Sequence, residues 1–139
     1  MQIYAVVDTN VIVSALITKN PQSPPYLVLR EMLDREIIPL YHADIIEEYR
    51  EVLSRTKFHL KEETIEKVIN SIISNGIEVN PHPTGEILID MDDLVFYEVA
   101  MEKRDDAYLV TGNLKHYSVK DFIVTPSEML NILNETETK

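Results

Sequence analysis

Cysteine is absent from the 139 residues, which excludes disulfides and thiolate metal sites and fits a reducing, cytoplasmic setting. Glycine occurs three times, so no glycine-rich phosphate loop competes for the chemistry. The histidines His42, His59, His82 and His116 are scattered, with no pair at i, i+4, and a histidine zinc site is not expected. No apolar run approaches the roughly 18 residues of a membrane span. The amino terminus shows neither a basic region ahead of an apolar one nor a small-residue cleavage site, so neither membrane insertion nor export is expected. Positive charge is the scarcest commodity: 13 Lys and Arg stand against 24 Asp and Glu, a net charge of −11. Between Val68 and Glu102 lie Glu78, Glu86, Asp90, Asp92, Asp93, Glu98 and Glu102 without one Lys or Arg. Passive nucleic-acid binders carry basic patches that release counterions from phosphates, and that signature is missing. Should the chain meet a polyanion, something cationic must intervene, and a bound divalent metal is the obvious candidate. Charge alone favours the plainer reading, an acidic surface that keeps the protein soluble.

What is present is the pattern of one globular domain. Hydrophobic residues make up 45% of the chain, enough for a single sizeable core, and one domain is expected over residues 1–134 with a frayed tail at 135–139. Gln2 to Val7 is short, apolar and β-branched, and reads as a buried strand. Asn10 to Ile17 follows as a suggested helix. Ser23 before Pro24 marks the start of another, ending near Glu36. Ile37 to Tyr41 is a second strand. Helices are predicted over Ala43–Ser54 and Glu62–Asn75, the latter stopped by Gly76 as a C-terminal cap. Ile77–Val79 reads as an edge strand, and a helix opens at Asp92 or Asp93 and runs to about Arg104. Ala107–Thr111 and Phe122–Thr125 read as strands, and Pro126–Leu133 as the closing helix. Strands alternating with helices imply a three-layer α/β/α sandwich around a mainly parallel sheet.

The polar break in AVVDTNVIVSAL, residues 5 to 16, is where a buried strand ends. Ligands of open parallel sheets sit beyond the carboxyl ends of the strands, which places Asp8 and the Thr111-Gly112-Asn113 run on one edge. In the helix from Ala43, Glu48 falls about 40° outside Val52 at the rim of the apolar arc, at 100° per residue. Glu47 and Glu51 point to solvent. Asp90, Asp92 and Asp93 have a plain role available as helix-capping acids. Asp93 lines up with Ala100 on the inner side and Asp92 suits the cap, but periodicity leaves the choice open. Asp8, Glu48 and Asp93 come from three separated elements. Carboxylates held that close repel and raise each other's pKa unless a cation lies between them. Oxygen ligands alone suit Mg²⁺ or Mn²⁺.

The segments VVDTNVIVSAL, ADIIEEYREVLSR, DMDDLVFYEVA, DAYLVTGN and IVTPSEML occur in the order seen in PIN-domain nucleases, and the chain resembles that family over nearly its whole length. It is similar to the VapC-like branch, the toxin components of toxin–antitoxin systems. The resemblance implies a Mg²⁺- or Mn²⁺-dependent endoribonuclease acting on RNA, an antitoxin partner and a homodimer. It assigns the metal ligands to Asp8, Glu48 and Asp93. The family's fourth acidic position falls on Asn113, which contributes no charge and makes a second tightly held metal less secure. Asp90 is placed to contribute through water, Asn10 to brace Asp8, and His116 is read as incidental. A substrate groove is sought at Arg50, Arg55, Lys57 and Lys61, although an ordinary helix surface accounts for them equally well. The alternative is a PIN-fold protein- or RNA-interaction module with weak or no catalysis. A haloacid-dehalogenase-like phosphatase needs a second Asp where Asn10 stands, and a receiver domain needs adjacent acids by the first strand; neither requirement is met.

Overall fold

The first strand is apolar on both faces, and both faces are covered. The computed structural model, which describes residues 2–117 and 120–137, contains β1 (Ile3–Val7), α1 (Thr9–Ile17), α2 (Pro24–Leu33), β2 (Ile37–Tyr41), α3 (Ala43–Leu53) and α4 (Glu62–Asn75). These are followed by β3 (Ile77–Glu78), α5 (Leu94–Glu102), β4 (Ala107–Val110), β5 (Ile123–Val124) and α6 (Pro126–Glu137). The strands form one sheet in the order β3-β2-β1-β4-β5, and every pairing is parallel. The helices α2, α4 and α6 pack together over one side, while α5 packs on β1, β2 and β4. The right-handed rule for parallel crossovers puts α5 on the opposite face. This is the expected α/β/α sandwich.

The chain lays down β1, β2 and β3 in one direction and then crosses to β4 and β5 on the other side of β1. The reversal makes the carboxyl ends of β1 and β4 the switch point, where neighbouring connections diverge and leave a crevice. Register fixes what meets there. Val7 pairs with Val110, so the next residues along, Asp8 and Thr111, stand side by side at the mouth.

Several boundaries differ from expectation, each for a local reason. Helix α2 stops at Leu33 because Arg35 adopts a left-handed conformation, φ 66°, and the Glu36 amide closes back onto the Glu31 carbonyl at 2.9 Å. That closure usually uses glycine at the left-handed position. Gly76 follows α4 as expected, but its backbone is extended. It is needed for space: a Cβ there would lie 2.5 Å from the carbonyl oxygens of both Ile72 and Pro39. Helix α5 begins at Leu94 after a 3₁₀ turn over Met91–Asp93 and ends at Glu102. Asp93 is the N-cap residue of α5 but makes no side-chain capping bond; the turn before it is capped by Asp90, whose Oδ1 accepts the Asp92 amide at 3.0 Å. Helix α6 continues past Leu133 to Glu137, and residues 138 and 139 of the expected tail lie outside the described residues.

Candidate active site

Burial answers the question posed by the break after Val7. The buried polar residues among those described are Asp8, Thr9 and Thr111, all at the β1–β4 mouth. Asp8 is 4% exposed, and its backbone amide continues the sheet ladder to the Val110 carbonyl at 2.9 Å. Its Oδ2 accepts the Thr111 hydroxyl at 2.8 Å, a contact across 103 residues that exists because of the strand register. The backbone amides of Thr9 and Asn10 also favour the carboxylate, yet burial outweighs them and pushes the Asp8 pKa up. A buried carboxylate with these few donors is a group held against its solvation preference.

Glu48 approaches from α3 on its half-buried rim, while Glu47 and Glu51 are exposed, as the helical spacing requires. The Thr9 hydroxyl donates to its Oε2. Burial raises the Glu48 pKa; the Thr9 bond opposes this, and the charges of Asp8, Asp92 and Asp90 add to it. Beside Glu48, the fully buried Tyr49 donates its hydroxyl to the Val7 carbonyl and packs its ring against Phe96 of α5, centroids 6.2 Å apart. That contact ties the three acid-bearing segments together.

Asp93 sits at the start of α5 with its side chain 13% exposed. Burial and then the Asp8 charge push its pKa up to about 6, against the pull of His116. His116 Nδ1 lies 3.0 Å from Asp93 Oδ2, and His116 Nε2 lies 2.8 Å from Asn113 Nδ2. An Asn113 amide donating to Nε2 leaves the imidazole proton on Nδ1, donated to Asp93. His116 is therefore not incidental but links Asn113 to the third acid. Asn113 is held in turn by its own backbone amide, which donates to the Thr111 hydroxyl at 3.0 Å. Asp90 and Asp92 are exposed at the rim, where their charges act on Glu48.

The structure thus brings Asp8, Glu48, Asp93 and Asn113 to one mouth. Reading the sequence placed Thr111 at this edge and Thr9 in the turn after Asp8 but missed that both donate hydroxyls to the acids, and it missed the bridging role of His116. The signal for His116 was its place three residues after Asn113, within reach across a single tight turn. Of the four basic residues of the expected groove, three have partners within the chain. Arg50 makes two bonds to Glu66, at 3.2 and 3.3 Å, Arg55 pairs with Glu51 at 3.0 Å, and Lys57 lies over the Phe58 ring. A cavity of about 410 Å³ around Gln2, Tyr4, Asp105 and Tyr108 opens at the amino end of the strands and has no part in this cluster.

The donor set fits a hard divalent cation in kind: carboxylate oxygens whose charges push one another's pKa up. The fit is one of chemistry and not of finished geometry. Among the described residues no three His, Cys, Asp or Glu side chains are arranged to hold one ion, and Thr111, Thr9 and His116 each hold an oxygen of one acid.

Comparisons with known proteins agree with this architecture. The chain is 29% identical over 124 residues to uncharacterized protein MJ1680 of Methanocaldococcus jannaschii, covering 87% of this chain and 77% of that protein. It shares its fold with a chain from the crystal structure of VapBC2 from Rickettsia felis, solved bound to a DNA fragment from their promoter. The TM-score is 0.57 at 21% identity, over 88% of this chain and 97% of that one. The model of a PIN domain matches residues 4–115, which spans Asp8, Glu48, Asp93 and Asn113, and the chain belongs to the PIN-domain family.

Proposed function

We propose that this protein is a Mg²⁺- or Mn²⁺-dependent endoribonuclease and the toxin of a toxin–antitoxin pair, with RNA as substrate, an antitoxin protein as its silencing partner and a cytoplasmic, homodimeric working state. The observation that carries the reading is the convergence of Asp8, Glu48 and Asp93 at the β1–β4 switch point, all three with pKa values raised. A divalent ion held by those three carboxylates would supply Lewis-acid polarisation of a phosphate and acidify the attacking water. The chain's own residues do the positioning. Thr111 and the amides after β1 orient Asp8, and Thr9 holds Glu48 at the rim. His116, fixed by Asn113, holds Asp93. No helix among the described residues is long and apolar enough to cross a membrane.

The reading is tested by incubating purified protein with a mixed cellular RNA pool in Mg²⁺, Mn²⁺ or a chelator, beside Asp8→Asn. Cleavage that requires the metal and disappears in the variant is the expected outcome, with k falling at least about a hundredfold, as for loss of a metal ligand or its support. Cleavage that persists in Asp8→Asn places the chemistry elsewhere. Metal binding without cleavage of any RNA turns the reading to an interaction module on the same fold.

A further inference from the structure

Two buried tyrosines flank the acid cluster, and they differ in one respect. Tyr49 donates its hydroxyl to the Val7 carbonyl. Tyr117, which closes the turn Leu114–His116 and is 6% exposed, has a buried hydroxyl with no hydrogen-bond partner among the described residues. Its backbone amide is satisfied by the Leu114 carbonyl at 3.2 Å, so the orphan is the phenol alone. The charged groups that act on that phenol are Asp8, Asp93 and Glu48, with Tyr49 after them. A phenylalanine would pack the same ring without burying an unpaired donor, which is costly to leave unmade. Burial and the surrounding carboxylates push its pKa far up, so the phenol keeps its proton and remains a donor.

We infer that Tyr117 is a positioning residue of the cation site: its hydroxyl stands ready to donate a hydrogen bond to an oxygen of the site once a divalent cation has drawn the carboxylates together. The inference rests on the cation-binding reading above and assigns to that site a donor that the acids alone do not provide. Among the described residues nothing bonds the phenol in the cation-free fold; an oxygen of the site drawn in by a bound cation would give it an acceptor. The hydroxyl therefore favours the loaded state over the empty one.

The test compares wild type with Tyr117→Phe by Mn²⁺ titration, using calorimetry or Mn²⁺ paramagnetic resonance, and by thermal unfolding in chelator. A second readout is the tyrosine ultraviolet difference band on addition of Mg²⁺, which itself absorbs nothing there. The expected result is a Mn²⁺ Kd raised about tenfold, in the range found when groups supporting a metal site are removed. The metal-free Tm should stay at or above that of wild type, and the difference band should be lost. Affinity within twofold of wild type overturns the inference while leaving the nuclease reading intact. Affinity lost together with a fall of several degrees in metal-free Tm also overturns it, since the hydroxyl then serves the empty fold. A wild type that binds no Mn²⁺ defeats the inference and the reading beneath it together.

Discussion

Asp93 is the acid whose proton is most open to measurement. Its carboxyl is pushed up to about 6 from an ordinary value of 3.8, by burial first and by the Asp8 charge second. The folded state therefore holds this proton to a higher pH than the unfolded chain does. Stability contributed by the protonated form is fully present below about pH 4 and is lost as pH rises through about 6. A shift of that size corresponds to on the order of 1–3 kcal/mol, at about 1.4 kcal/mol per unit before solvent screening. Asp8 and Glu48 are shifted in the same direction and add to the slope. Urea unfolding in chelator between pH 4 and 7 should show wild type losing stability across that window, and Asp93→Asn losing less. Saturating Mg²⁺ should flatten the wild-type slope, because a bound cation favours the ionised acids. Parallel profiles for the two proteins would mean that Asp93 carries no strained proton.

At the scale of the element, the agreement between sequence and structure follows the range of the forces involved. The strands were legible as short apolar, β-branched runs and the helices because their apolar residues repeat at a period of about 3.6, and Glu48 was separable from Glu47 and Glu51 by that helical arithmetic. What escaped was set elsewhere in the chain. Thr111 reaches Asp8 only through the β1–β4 register, and Thr9 reaches Glu48 across 39 residues. The end of α2 was misplaced because Arg35 takes a conformation that glycine usually signals. Gly76 shows the converse, a glycine read rightly as a stop but for another reason. Its φ of −105° suits any residue, and the obstacle to a side chain is the pair of carbonyls at 2.5 Å. Both are backbone atoms of α4 and β2, so they cannot swing away. Gly76→Ala should cost about 2–3 kcal/mol by overpacking, seen as a lower urea midpoint at unchanged m value. Gly112→Ala, with open space around its Cβ position, serves as the control and should change stability by less than about 1 kcal/mol. Equal effects at the two positions would remove close approach as the explanation.

For the whole molecule, the net charge of −11 bears on how a polyanion can be approached at all. A protein that grips nucleic acid through Lys and Arg releases counterions, and its affinity falls steeply with salt, by roughly one power of the salt concentration per phosphate neutralised. Here the densest basic stretch is partly neutralised from within, by Glu66 on Arg50 and Glu51 on Arg55. The acids of the site face the mouth that an RNA would have to enter. Without divalent cations the long-range field repels the substrate, and added salt screens that repulsion. RNA binding in chelator, measured by fluorescence anisotropy from 50 to 300 mM salt, should thus be weak and flat, or strengthen slightly as salt rises. With Mg²⁺ present the site charge is reduced where the phosphate must sit, and affinity should rise while its salt slope stays shallow. A steep loss of affinity with salt in chelator would contradict this, and would mean that Arg50, Arg55, Lys57 and Lys61 release their intramolecular partners to form a cationic groove. Charge reversal at Glu66 and Glu51 separates the cases. Glu66→Lys with Glu51→Lys should create salt-sensitive RNA binding where the wild type has none, and should leave it unchanged if the groove already forms on its own.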